Sequence, residues 1–280
     1  MLQTGISVII PTYNRAKLLE GTLASLEQQI NAICPFEVIV VDDGSSDNTE
    51  AVVNSFRHVL NIQYQYQPDM GFRAGMARNK GIYAANYEIC LFLDAGIVVP
   101  NNLLHSHYQA YQSKPQDVLI GMCYGFEEFE LKNEASLLAL YQQQPLNKVF
   151  KTLQASTEYL DCRYAILNNL PNGLNQSRYP WFVAWTCHLS AKTTLLRKVE
   201  GFDEHFNTWG GEDFELGIRL AKQGAKFDLL KSPLVLHLPH DKSAQGSQQS
   251  GQENLKYIIK KHPDIAEDVL LLNWTQGIQL

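Results

Sequence analysis

The stretch Trp209-Gly210-Gly211-Glu212-Asp213-Phe214-Glu215-Leu216 sets two adjacent carboxylates directly after two glycines, at the start of an apparent helix. Glycine permits tight turns and lets a ligand come close to the backbone. Glu212 and Asp213 then lie in the first helical turn, where the macrodipole favours the ionised carboxylate. An acid in that place suits the work of a general base, although acidic residues in a first turn also serve as plain helix-start chemistry. Polar residues follow other apolar runs as well: Pro11-Thr12-Tyr13-Asn14-Arg15, Asp42-Asp43-Gly44-Ser45-Ser46 and Asp94-Ala95-Gly96. Asp-Gly-Ser is also ordinary turn chemistry. In parallel α/β sheets, however, ligands bind beyond the carboxyl ends of the strands, so these clusters converge on one crevice.

The elements that must position these residues are legible from periodicity. Ile6 to Ile10 and Val38 to Val41 are β-branched, almost continuously apolar runs, the pattern of strands buried on both faces of a parallel sheet. Between them Leu18, Leu19, Leu23 and Leu26 have helical spacing from Ala16 to about Gln29, which completes a β-α-β unit. Asp47 and Glu50 have the spacing of a capping box ahead of a helix reaching about Val59. Gln63 to Gln67 alternates as a short strand, Ala74 to Ala85 reads as a helix, and Ile89 to Leu93 as a strand. Further on, Val118 to Tyr124 reads as a strand and Glu127 to Asn169 as a helical excursion, either core packing or an acceptor lid. Trp181 to Ser190 is strand-like, Thr193 to Val199 and Phe214 to Gln223 are helical, and Leu234 to Leu236 is a last strand. Asp241 to Asn254, rich in Ser, Gln and Gly, reads as a loop.

Composition bounds the function classes. The 280 residues are 45% hydrophobic and 19% charged, enough for a large globular core. A formal charge of -6, with no basic run longer than Lys260-Lys261, argues against nucleic acid as the partner. Five cysteines, odd in number and never in a C-x-x-C pair, indicate neither a disulfide framework nor a zinc site, and imply a reducing compartment. The first residues lack a basic n-region and the apolar run after them is short, so a cytoplasmic protein is expected. No transmembrane segment is expected; peripheral membrane contact through a surface helix stays open.

Taken together, the motifs resemble the inverting family-2 glycosyltransferases with the GT-A fold. The pieces are Ser7 to Asn14, Val41 to Asp47, Ala77-Arg78-Asn79-Lys80-Gly81, Leu93-Asp94-Ala95-Gly96, and the galactosyltransferase-like Gly201-Phe202-Asp203-Glu204 with Trp209 to Asp213. Chondroitin polymerases and polypeptide N-acetylgalactosaminyltransferases look similar around the last two. The resemblance implies an α/β fold, a central, mostly parallel twisted sheet flanked by helices, with a helical excursion in the second half. Residues 1–240 would form one domain, with 1–117 the nucleotide-binding half and 118–240 the acceptor and catalytic half. Residues 241–280 would be a C-terminal loop and helical tail.

By resemblance, the substrate is a UDP-sugar and the partner a saccharide or other hydroxyl acceptor. Pro11 and Tyr13 would line the base pocket, Tyr13 by stacking, and Asp42 would accept the imide proton of uracil. Arg78 would lie near the base and phosphates, where a guanidinium gives bidentate recognition. Asp94 matches the first acid of the D-x-D motif, toward ribose and metal, and His237 the metal-ligating histidine, with His240 as an alternative. Trp209, Gly210 and Gly211 would border the sugar and acceptor, Glu212 would orient sugar hydroxyls, and Asp213 would be the catalytic base. The second D-x-D acid is replaced by Gly96, which places the divalent cation (Mn or Mg) in question. A cation held by diphosphate oxygens, waters, Asp94 and His237 is chemically sound. Otherwise Arg73, Arg78 or Lys242 would meet the leaving diphosphate. A non-catalytic sugar-nucleotide-binding protein and a nucleotidyltransferase are the alternatives; the latter usually carries a Gly-rich phosphate loop where this chain has Thr12-Tyr13-Asn14.

Overall fold

A computed structural model of the chain describes residues 2–29, 34–114, 116–125, 133–164, 167, 173–240 and 244–272. Its strands are β1 (Gln3–Thr12), β2 (Phe36–Asp42), β3 (Ile62–Tyr66), β4 (Tyr87–Leu93), β5 (Ile97–Val98), β6 (Val118–Tyr124), β7 (His188–Lys192) and β8 (Phe227–His237). They form one sheet in the order β3-β2-β1-β4-β7-β6-β8-β5. The first four strands run parallel, in keeping with the continuous apolar runs of β1, β2 and β4, with alternating β3 at the edge. At β7 the sheet turns mixed: β4 and β6 both pair with β7 antiparallel, β6 pairs with β8 parallel, and β5 with β8 antiparallel.

Alternate residues of the inner strands enter different cores. Val8, Ile10, Val38 and Val40 pack with Leu19, Leu23 and Leu26 of α1 (Ala16–Glu27) and Val53 of α2 (Thr49–Phe56). Ile9, Ile39 and Val41 instead join Ala77 and Ile82 of α3 (Ala74–Ala84). Leu103 and Leu104 of α4 (Leu103–Ser113) add to the first core. Each fully buried leucine contributes about 1.5–3 kcal/mol, more than the ~1 kcal/mol of a typical cap, so packing rather than end chemistry fixes α1.

The excursion contains α5 (Glu134–Gln143) and α6 (Leu146–Gln154), whose Leu137, Val149, Phe150 and Leu153 form a small core with Val98, Leu236 and Leu238. Its described helices thus pack as core. Behind it, Asp161 and Arg163 form an ion pair whose side chains are both 0% exposed. Arg163 also donates to the carbonyls of Gly121 and Val183 and stacks 4.7 Å from the Trp185 ring centroid, while Asp161 accepts the Cys123 N–H. The second half closes with α7 (Thr193–Lys198), α8 (Glu212–Lys222), α9 (Ala244–Lys261) and α10 (Ala266–Leu272).

Three local expectations change. The Asp47–Glu50 capping box does not form: Asp47 Oδ1 accepts the N–H and hydroxyl of Thr49, and Oδ2 accepts the N–H of Ala16, so one carboxylate serves the starts of α1 and α2. The expected strand from Trp181 to Ser190 begins only at His188; Pro180–Val183 is a one-turn 3₁₀-helix, with Pro, whose fixed φ suits a first helical position, at its start. The expected loop at 241–254 is helical from Ala244, residues 241–243 lying outside the described ones. Buried Gly251, Asn254, Leu255, Ile258 and His262 recur at helical spacing on its inner side. Leu255 and Ile258 enter the same core as Phe214 and Leu216 of α8, and such packing outweighs a poor helical composition. No helix among the described residues is long and apolar enough to cross a membrane.

Candidate active site

Arg78 joins the two halves of the molecule. From α3 its guanidinium donates to Asp94 Oδ1, just past β4, at 2.8 Å and to Glu212 Oε1, at the start of α8, at 3.2 Å. The cation lies 5.5 Å from the Phe202 ring centroid and its side chain is only 6% exposed. Burial alone would lower its pKa, but Asp94, Glu212 and Asp213 outweigh burial and raise it. The neighbouring motif residues explain how it is held. Asn79 donates to Phe202 O and Glu204 Oε1 and accepts the Phe202 N–H, which knits Ala77-to-Gly81 to Gly201-to-Glu204. A Cβ on Gly81 would lie 2.4 Å from Ile9 Cγ2, so only glycine lets α3 sit this close to β1. Arg78 was expected to face base and phosphates; here it bridges two carboxylates, with Nε buried and unpartnered.

Gly210 and Gly211 carry the chain into α8 with φ of +96° and +95°, the left-handed region that favours glycine. Their turn delivers Glu212 inward and Asp213 to a partly exposed position. Burial, and then the Asp213 charge, push Glu212 up to about 7, and its Oε2 is buried with no hydrogen-bond partner. Asp213 is also raised, by burial, with Arg78 pulling the other way. Its Oδ2 accepts the Thr186 N–H at 3.2 Å and its Oδ1 the N–H of Phe214 at 3.1 Å. The result is a partly exposed carboxylate of raised basicity, fixed by backbone donors, the arrangement a general base requires.

On the nucleotide side, Pro11 is partly buried and Tyr13, 46% exposed, donates its hydroxyl to Asp69 Oδ2 at 2.9 Å, which leaves the ring accessible to a planar base. Asp42 is 1% exposed; Oδ1 accepts the N–H groups of Gly44 and Ser45, and Oδ2 accepts the Tyr64 hydroxyl. Three of the carboxylate's four acceptor positions are thus engaged by the fold, which leaves one on Oδ2 for the expected imide contact. Asp43 is likewise engaged, by Gln67 and Arg73. Gly44, at φ +95°, lies so close to Asp69 that a Cβ would come within 2.3 Å of its backbone nitrogen. Trp209 is 39% exposed beside the acid pair, as a sugar-stacking residue would be.

The donors for a cation are few. His237 ends β8 opposite Ile97, next to the strand that leaves Asp94, and its ring centroid lies 5.2 Å from that of His240. Gly96 has φ +108°, which a side chain would strain. Among the described residues no group of three or more His, Cys, Asp or Glu could hold a metal ion. A cation here would therefore have to bring most of its ligands with a diphosphate, as magnesium-type ions commonly do.

Sequence reasoning missed Thr186 and Asp69. Thr186 acts through its backbone N–H, which no residue type encodes, and Asp69 meets Tyr13 across 56 residues.

Residues 7–170 match glycosyl transferase family 2, and residues 173–241 match the N-terminal domain of galactosyltransferase. The chain is 33% identical over 274 residues to validoxylamine A glucosyltransferase of Streptomyces hygroscopicus subsp. jinggangensis, covering 98% of this chain and 64% of that protein. It is 31% identical over 274 residues to the chondroitin synthase of Pasteurella multocida, covering 95% and 28%. The chain thus spans less than two thirds of either relative. Among solved structures, S. aureus TarS in complex with UDP-GlcNAc superimposes with a TM-score of 0.66 at 21% identity, covering 92% of this chain and 66% of that one. A mannosyltransferase from Pyrobaculum calidifontis in complex with GDP-Man and Mn2+ gives 0.61 at 17% identity, covering 99% and 71%. The fold is GT-A, a mixed sheet flanked by helices, and with more than half of its length matched the chain belongs to glycosyl transferase family 2.

Proposed function

We propose that the protein transfers a hexose or N-acetylhexosamine from a UDP-sugar to an acceptor hydroxyl, with inversion at the anomeric carbon. The observation that carries this reading is the acid pair at the start of α8, linked through Arg78 to Asp94 at the end of β4. Asp213 takes the proton of the acceptor hydroxyl as that oxygen attacks the anomeric carbon, and the diphosphate leaves from the opposite side. Its raised pKa favours proton acceptance, and a positioned base of this kind contributes about 10²- to 10⁴-fold. Glu212, with its unpartnered Oε2 beside that carboxylate, orients sugar hydroxyls, and Trp209, Gly210 and Gly211 border the acceptor. Pro11 and Tyr13 take the base, Asp42 accepts the uracil imide proton while holding the loop beneath it, and Arg78 and Asp94 stand toward the ribose and phosphates. Asp94 and His237 would hold the divalent cation, whose chemistry is to neutralise charge on the leaving diphosphate.

The test is turnover with UDP-glucose, UDP-N-acetylglucosamine and UDP-N-acetylgalactosamine, against GDP-mannose, with the product's anomeric configuration read by NMR. Asp213→Asn is expected to bind UDP as the parent does and to lose turnover by about 100-fold or more. Glu212→Gln should chiefly raise the KM for the sugar donor. An Asp213→Asn protein that turns over normally, or a product of retained configuration, overturns the mechanism.

A further inference from the structure

We propose that α9 is part of the catalytic apparatus, and that Asn254 is a positioning residue that sets the carboxylates of Glu212 and Asp213. This rests on the glycosyltransferase reading and extends it to a helix beyond residue 241, where the matched galactosyltransferase segment ends.

The Gly-Gly turn lacks side chains to fix it. The Gly211 carbonyl accepts the Glu215 N–H of α8, but the Gly210 carbonyl before it is met from outside the turn, and Gly210 and Gly211 are themselves buried. Asn254 supplies the donor. Its Nδ2 lies 2.6 Å from Gly210 O, 3.3 Å from Trp209 O and 3.2 Å from Thr208 Oγ1, and its Oδ1 lies 3.4 Å from that hydroxyl. One turn earlier Ser250 donates to Trp209 O at 3.0 Å. Asn254 is 8% exposed, and at Gly211 an added Cβ would meet Ile258 Cδ1 at 3.2 Å and Asn254 Cβ at 3.5 Å. The helix therefore lies against the turn itself.

The same helix grips both flanks of the turn. On the N-terminal side Tyr257 and Lys261 bond to Asp203 Oδ2, and the Tyr257 ring stacks on His205 with centroids 3.9 Å apart. On the C-terminal side Glu215, wholly buried one turn after Glu212, accepts from Lys261 at 2.7 Å and from His262, just past the helix, at 3.0 Å. The segment from Asp203 to Glu215 is thus held at its start, middle and end by one helix. A base that must meet its proton within a few tenths of an ångström depends on such support, since misplacement by 1 Å costs about 10²-fold in rate.

The experiment compares Asn254→Ala and Asn254→Asp with Lys256→Ala, an exposed position on the same helix, and measures kcat, donor KM, UDP affinity and thermal transition. Asn254→Asp keeps the size and loses the N–H groups that the carbonyls accept, so it separates hydrogen-bond donation from packing. Both Asn254 variants are expected to lose about tenfold or more in kcat. Donor KM should rise with the displacement of Glu212 while UDP affinity stays within threefold of the parent, and Lys256→Ala should be unaffected. A folded Asn254→Asp protein with kcat within twofold of the parent overturns the proposal, as does an equal loss of UDP affinity. Should both variants fail to fold, Thr208→Ala removes the bonded hydroxyl from an exposed residue: a lowered kcat supports the proposal and an unchanged one overturns it. If Asp213→Asn is fully active, the mechanism itself falls, whatever the Asn254 variants do.

Discussion

Replacing Arg78 by Met removes the charge between Asp94 and Glu212 while keeping an unbranched apolar stem, and the stability it costs should depend on pH. The Asp94 side chain is 35% exposed, so solvent screens that pair and it contributes little. The weight falls on Glu212, 9% exposed and 3.2 Å from the guanidinium. Even with Arg78 present, Glu212 rises from an ordinary 4.5 to about 7, which corresponds to about 3 kcal/mol against the buried anion. For an acid raised in this way, the stabilising contribution is complete below 4.5 and is lost as pH rises through about 7. A nearby opposite charge moves a carboxylate's pKa by about 1–3, so without Arg78 Glu212 keeps its proton to higher pH, and at pH 8.5 the added destabilisation is about 1–2 kcal/mol, capped by the interval between about 7 and 8.5. At pH 5.5 the carboxyl holds its proton with or without Arg78, and most of that increment vanishes. Urea unfolding at pH 5.5 and 8.5 reads the difference directly: the loss on Arg78→Met should be larger at pH 8.5 by about 1–2 kcal/mol. Adding Glu212→Gln should remove most of the pH dependence, leaving the part contributed by Asp213, whose ionised form Arg78 also favours. Equal losses at both pH values, or a larger loss at pH 5.5, would refute the account of this triad.

Gly44→Ala should destabilise by about 2 kcal/mol or more in thermal melts, because a Cβ would strain φ +95° and meet the Asp69 backbone, and UDP affinity should fall as the Asp69–Tyr13 contact is displaced. Turnover should rise with manganese or magnesium, and His237→Ala should shift that metal titration to about tenfold higher concentration or beyond. Full activity in excess chelator, unchanged by His237→Ala, would leave Asp94 as a ribose contact alone.

The parallel half of the fold was legible because its strands are buried on both faces, and that burial writes itself as unbroken runs such as Val38 to Val41. The Glu212-Asp213 pair was legible because the two glycines and both acids are contiguous. What escaped the reading depends on partners far along the chain. Asn254 sits in a polar, Gly-containing stretch whose helicity comes from packing against α8, and its bonds to the turn span 44 to 46 residues. That Asp42 also anchors its own loop was hidden, because only the fold brings Tyr64 to its second oxygen. Arg78 was recognised as a site residue, yet its double ion pair requires Glu212, 134 residues away.

The Asp161–Arg163 pair has a consequence for how the second half comes apart. One guanidinium ties together three remote stretches: the middle of β6 at Gly121, its own segment after α6, and the Val183–Trp185 turn that leads to Thr186. Undocking either of the other two leaves the Asp161–Arg163 pair intact, since both residues lie in one segment, but takes a carbonyl partner from a buried guanidinium, and a hydrogen bond to a charged group contributes about 1.5–3 kcal/mol. The three stretches are thereby coupled. Thr186, whose N–H Asp213 accepts, directly follows the last of them, so the support of the proposed base is tied to this buried pair.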